Sequence, residues 1–207
     1  MRYTIRIMNT SAHIRVATIE DAPEILAVYA PYVETTAVTF ELTVPDQETF
    51  TDRVRNTLQR FPYLVAEDES GIVGFTYASP YRPREAYVRT IETSIYVKQG
   101  YKGKGLGRRL YNALAAVLSM QNVYNMNACI AYIEPEDEYV TRASVHFHER
   151  VGFRVVGHFT RCSRKFDRWY DVVWMERLLG DHDDNPGDFI PFPELDRAEV
   201  DKVLEQQ

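Results

Sequence analysis

The run most able to do chemistry is Ile95-Tyr-Val-Lys-Gln-Gly-Tyr-Lys-Gly-Lys-Gly-Leu-Gly-Arg-Arg-Leu110, where an extended apolar stretch passes through four glycines into an amphipathic pattern. A helix that begins there leaves backbone N–H groups unpaired and carries positive partial charge, and glycines let an anion come close to those groups. Lys98, Lys102, Lys104, Arg108 and Arg109 crowd the same turn. The chemistry implied is the binding of a phosphorylated ligand. Two common phosphate motifs fail on the letters. A P-loop needs Lys and then Ser or Thr directly after its last glycine, but Gly105 is followed by Leu106 and Gly107. A dinucleotide fingerprint running from Gly103 needs glycine or alanine where Arg108 stands. A solvated helix end is the plain alternative, and further matches are needed to separate the two.

Those matches exist. The spacing Lys102-x-x-Gly105-x-Gly107 resembles the pyrophosphate-binding signature of the GNAT acetyltransferase superfamily, with lysine where Arg or Gln is usual. Thr141-x-x-Ser144-x-x-Phe147-His148-x-x-x-Gly152-Phe153 is similar to the superfamily's helix motif, Asn-x-x-Ala-x-x-Leu-Tyr-x-x-x-Gly-Phe, and departs from it at Thr141 and His148. Upstream, Phe61-Pro-Tyr-Leu-Val-Ala-Glu67, Gly74-Phe-Thr-Tyr-Ala-Ser-Pro80, Arg84-Glu-Ala-Tyr87 and Glu92-Thr-Ser-Ile-Tyr-Val97 resemble phosphinothricin N-acetyltransferases, as does Trp169-Tyr-Asp-Val-Val-Trp174. The likeness runs from Ile14 to Leu178, and an insertion at Glu134–Tyr139 departs from the shorter members.

The resemblance implies a GNAT-type α/β fold, a mixed and mostly antiparallel sheet flanked by helices. It implies acetyl-CoA as co-substrate, no metal, and a homodimer acting on the amino group of a small glutamate-analogue amino acid such as phosphinothricin, methionine sulfoximine or methionine sulfone. Acetyl transfer needs an unprotonated amine, and the resemblance gives the base role to Glu92, with His148 donating a proton to the leaving thiolate. The amides of Gly103, Gly105, Leu106, Gly107 and Arg108, with Lys102 and Lys104, would hold the pyrophosphate. Ile95, Tyr96 and Val97 would run beside the thioester, a backbone N–H near Tyr96 or Val97 polarising its carbonyl, and Thr141 would meet the pantetheine arm. Phe40, Arg84, Tyr87 and Arg89 fall on segments that line the acceptor cleft, where an arginine can pair bidentately with a carboxylate or phosphinate. Other acceptors, a polyamine, an antibiotic amine or a protein N-terminus, fit the same machinery, and so does a non-catalytic acyl-CoA sensor. His146-x-His148 offers no third ligand for zinc.

The elements that must position these residues follow from periodicity. Thr18-Ile-Glu-Asp21 leads into Ile25, Leu26, Tyr29 and Val33, an amphipathic helix after a strand at His13–Ala17. A second helix is expected over Gln47–Arg60, then strands at Tyr63–Glu67, Gly71–Ala78 and Arg89–Val97, the last with Glu92, Ser94 and Tyr96 on one face. Leu106, Leu110, Leu114, Val117 and Leu118 share a helix face. A strand at Tyr124–Ile133, a helix at Thr141–Val151 and a hairpin of Phe153–Thr160 with Tyr170–Arg177 complete an α/β sandwich.

The chain has 207 residues, 45% of them hydrophobic, enough for one core. The expected organisation is an extension at 1–13, one domain at 14–179 and a loose or late-packing tail at 180–207. The tail holds nine acidic residues against Arg197 and Lys202, −7 within a net charge of −6, so the body carries +1. With no long basic stripe, nucleic acid is not expected. No apolar run reaches membrane-spanning length. Cys129 and Cys162 lack metal spacing and read as buried or neutral thiols, consistent with the cytoplasm.

Overall fold

Short connections between β-branched and aromatic stretches from Tyr63 to Val97 build an antiparallel meander, which a strand from before the first two helices extends. The computed structural model describes residues 12–207, so most of the expected extension at 1–13 lies outside the described residues. Strands β1 (His13–Val16), β2 (Tyr63–Asp68), β3 (Gly71–Pro80) and β4 (Thr90–Val97) pair antiparallel in that order. Helix α3 (Leu106–Met120) then crosses over, so β5 (Asn125–Tyr132) lies parallel to β4. β7 (Arg168–Leu178) pairs with β5, and β6 (Arg154–Lys165) forms the far edge, giving the order β1-β2-β3-β4-β5-β7-β6. The parallel ladder has three rungs, Thr90 with Asn125, Ile91 with Met126 and Glu92 with Asn127. Beyond them β4 stays with β3 up to Val97 and β5 with β7 up to Tyr132, so the two strands splay.

Helices cover both faces. On one, Ile25 and Val28 of α1 (Ala22–Thr35) and Phe50 and Val54 of α2 (Gln47–Leu58) pack on Val65 and Phe75. On the other, Leu110, Leu114, Val117 and Leu118 of α3, all fully buried, meet Ile91, Met126 and Met175. Burial of such a side chain contributes about 1.5–3 kcal/mol each, as an upper figure. α3 lies close to β3 because Gly74 has no side chain: a Cβ there would stand 3.2 Å from the Tyr96 carbonyl oxygen and 3.3 Å from Leu110 Cδ1. Helix α4 (Ala143–Arg150) follows β5. Among the described residues no helix is long and apolar enough to cross a membrane.

Two parts differ from the sequence expectation. The hairpin is longer than expected, since β6 continues to Lys165 and turns at Phe166 and Asp167, whose φ values are 48° and 59°. The charged run after Thr160 reads as a loop, but an edge strand tolerates charge. The tail is not loose. Helix α5 (Arg197–Glu205), capped by Asp196 accepting from the Ala198 N–H at 2.9 Å, buries Val200 and Leu204 in the α3 core. The segment before it is fastened by Gln121, whose Nε2 donates to the Arg60 and Ile190 carbonyls, both at 2.8 Å. Its acidic residues occupy the solvent side of an amphipathic pattern, which the excess charge obscures.

Candidate active site

The splay frames a candidate site. Between the diverging ends of β4 and β5 lies a small cleft, walled by Thr93–Tyr96 and Ala128–Ala131 and closed by Val38, Thr141 and His148. Among the described residues one edge of β4 past Glu92 has no strand partner, so alternate backbone N–H groups there are available to a ligand. Ile95 and Tyr96 lie on this wall; Val97 follows them, and its carbonyl accepts from the Tyr32 hydroxyl.

Below the wall, Gly105 begins α3 at φ 80°, with no side chain capping the helix. The N–H groups of Leu106, Gly107 and Arg108 therefore lack helical acceptors. A Cβ built at Gly100, Gly103 or Gly105 meets nothing within 4 Å, so the turn is an open cradle of a kind that suits a diphosphate. The Lys102 ammonium lies 5.5 Å from the Tyr32 ring centre and that of Lys104 4.6 Å from Tyr101. Gly107 has a packing reason as well, because a Cβ there would stand 3.0 Å from Phe147 Cζ on α4. Leu106 turns its side chain into the core. Arg109, grouped by sequence with the basic patch, instead donates to the backbone carbonyls of Gln207 and Ala12, both at 2.8 Å, and serves the fold.

Glu92 stands on the last rung of the parallel ladder, half-buried. Burial raises its carboxyl above the ordinary range, and the nearby Arg82 guanidinium opposes that shift. Arg82 carries no obvious sequence signal. Its guanidinium lies 4.3 Å from the Tyr81 ring centre and 5.8 Å from that of Trp174, and only the fold brings these aromatics together. Tyr87 stacks edge-on against Tyr81 at 5.7 Å, Arg84 is exposed ahead of the single turn Glu85–Tyr87, and Phe40 packs 6.3 Å from Tyr170. Arg89 lies elsewhere: it donates to the Asn122 carbonyl at 3.1 Å and crosses Tyr124, before the start of β4 and away from the splay.

His148 departs from the expected acid role. It is buried in the cleft floor, its Nδ1 2.7 Å from the Ser144 carbonyl oxygen and its Nε2 2.8 Å from the Tyr111 hydroxyl. A carbonyl only accepts, so Nδ1 carries the proton and Tyr111 donates to Nε2. Burial lowers its pKa to about 4, leaving a neutral ring near pH 7 whose one N–H is engaged. Thr141 lines the cleft and its hydroxyl accepts from the Ala143 N–H at 3.4 Å. The insertion is tied down just before Val140, which lines the cleft: Asp137 accepts from the Tyr139 and Val140 amides, Arg168 and the Tyr170 hydroxyl. Cys162 is exposed on β6; Cys129 reaches the surface within the cleft, where the surrounding protein desolvates it and, with the Glu92 charge, pushes its thiol up to about 12, so that it is neutral.

A family model described as an acetyltransferase (GNAT) domain matches residues 14–174. The chain belongs to the GNAT acetyltransferases. This acetyltransferase is 34% identical over 180 residues to the phosphinothricin N-acetyltransferase of Streptomyces coelicolor, covering 80% of this chain and 95% of that one. It is 36% identical over 174 residues to the L-methionine sulfoximine/L-methionine sulfone acetyltransferase of Pseudomonas aeruginosa, covering 82% and 95%. Among solved structures, a GNAT superfamily phosphinothricin acetyltransferase from Sinorhizobium meliloti in complex with AcCoA superposes with a TM-score of 0.78 at 30% identity, covering 87% of this chain and 96% of that one. The relatives' names describe acetylation of small amino-acid-like molecules.

Proposed function

We propose that this GNAT acetyltransferase moves the acetyl group of acetyl-CoA to the amino group of a small anionic amino acid, of the phosphinothricin, methionine sulfone or methionine sulfoximine type, with Glu92 as general base. The observation that carries the reading is a half-buried carboxylate at the closed end of a strand splay, on the strand that leads into an uncapped glycine turn. Acetyl-CoA, when bound, supplies the activated acyl group. The amides of Leu106, Gly107 and Arg108 grip its diphosphate, with Gly103, Lys102 and Lys104 at the turn, while Thr141 and the free β4 edge at Ile95–Val97 guide the arm along the cleft. Glu92 takes the proton of the attacking amine, directly or through a water, and the C–N bond forms as the C–S bond breaks. Solvent, not His148, returns a proton to the thiolate.

Arg82 is suited to the acceptor's carboxylate or phosphinate, because its planar cation is oriented by two aromatic faces and has no carboxylate partner among the described residues. Arg84, Tyr87 and Phe40 complete the acceptor wall in this reading, and Arg89 does not contribute. The exposed apolar residues Val155, Val156, Phe159 and Trp169 on the β6–β7 edge support a homodimer. Cytoplasmic residence follows from the need for acetyl-CoA.

The test is thiol release from acetyl-CoA with methionine sulfone, methionine sulfoximine, phosphinothricin, spermidine and a peptide as acceptors. We expect turnover of at least one amino-acid analogue, and a drop of about 10²–10⁴ for Glu92→Gln at unchanged acetyl-CoA affinity. Tight acetyl-CoA binding without turnover of any amine would instead identify a sensor.

A further inference from the structure

We propose that Lys165 is a positioning residue for the acceptor: its ammonium, set between the last turn of α1 and the Val38–Phe40 segment, fixes that segment as the outer wall of the cleft. Lys165 ends β6, yet only 4% of it is exposed. Its Nζ donates to the Val33 carbonyl at 2.7 Å and to the Thr39 carbonyl at 2.9 Å. No carboxylate among the described residues lies within ion-pair distance of it.

A buried ammonium is costly unless its donors are used. Here they are used where the chain needs them. Val33 is in the final turn of α1, where carbonyls have no helical donor and negative partial charge gathers, so a cation is favoured there. The Thr39 carbonyl belongs to the irregular segment after the helix, which no strand pairs. Two further ties converge on the same few residues: Tyr29 Oη lies 2.7 Å from Thr39 Oγ1, and the Ala37 N–H donates to the Tyr139 carbonyl of the insertion at 3.2 Å. Val38, held between these ties, lines the cleft, and Phe40 of the proposed acceptor wall follows two residues on. An apolar residue at 165 would fill the space but leave both carbonyls unpaired.

The kinetic part of this inference rests on the proposed acceptor reading. Lys165→Met keeps the stem and removes the donors. Amide hydrogen exchange at Ala37–Phe40 is expected to rise at least about tenfold, the worth of one charge-assisted hydrogen bond, with the sheet core unchanged. KM for methionine sulfone, or whichever amine the wild type accepts, is expected to rise by a similar factor, while kcat and KM for acetyl-CoA hold. Unchanged exchange at Ala37–Phe40 overturns the proposal, and so does faster exchange throughout with both KM values rising together. Should Lys165→Met fail to fold, Lys165→Gln, which keeps N–H donors but loses the charge and part of the reach, is expected to raise KM for the amine by a smaller factor with KM for acetyl-CoA held, and equal changes in both overturn the proposal. If the wild type acetylates none of the amines, the functional reading fails on its own account, and the exchange measurement still decides whether Lys165 holds the segment.

Discussion

Glu92 titrates under opposed influences, burial that disfavours its charge and Arg82 that favours it, with burial the larger. Only the ionised form can accept a proton, so kcat/KM should fall as pH drops through a carboxyl pKa set above the ordinary range. Removing the opposing charge in Arg82→Gln should move that acid limb to higher pH and raise KM for the acceptor. An unmoved limb would separate Arg82 from the base. His148, already neutral with a pKa of about 4, should add no limb of its own between pH 5 and 8. A limb near 6.5 that vanishes in His148→Phe would restore it as an acid. The place of Glu92 on β4 was legible from the segment that carries it, while its role as base rests on the proposal above. The environment of His148 was not, because its proton is placed by Ser144 and its acceptor filled by Tyr111, a residue on another helix. Arg82 was illegible for the same reason: Trp174, half of its aromatic support, lies far along the chain.

At the scale of elements, α3 is where sequence and structure agree most directly. A single apolar stripe with glycines ahead of it dictates both a buried face and an uncapped start. Gly105→Ala tests that start: at φ 80° a Cβ costs about 1–2 kcal/mol of backbone strain, although the space around it is open. We expect KM for acetyl-CoA to rise while KM for the acceptor holds, and equal changes in both would count against the cradle. The β6–β7 turn was missed because Phe166-Asp167 lacks the glycine that usually marks two residues of positive φ. The insertion at Glu134–Tyr139 was visible as extra letters, but its placement depends on Arg168 and Tyr170 from the following hairpin.

For the whole molecule, the tail matters more than its charge suggests. Phe192, Val200 and Leu204 are buried, and burial of such side chains is worth about 1.5–3 kcal/mol each. Truncation after Leu179 should therefore lower the midpoint of thermal unfolding by more than about 5 °C, read by circular dichroism, and an unchanged midpoint would make the tail a mere passenger. Net charge concealed this because acidic residues dominate the count while the few apolar ones make the contacts. The three-rung ladder between β4 and β5 has a mechanical side too. It works as a short weld between two plates, one ending at β4 and the other starting at β5, and above Asn127 no sheet hydrogen bond joins them. Widening the slot breaks no ladder bond, so a ligand lying along it would not compete with the pairing of the sheet.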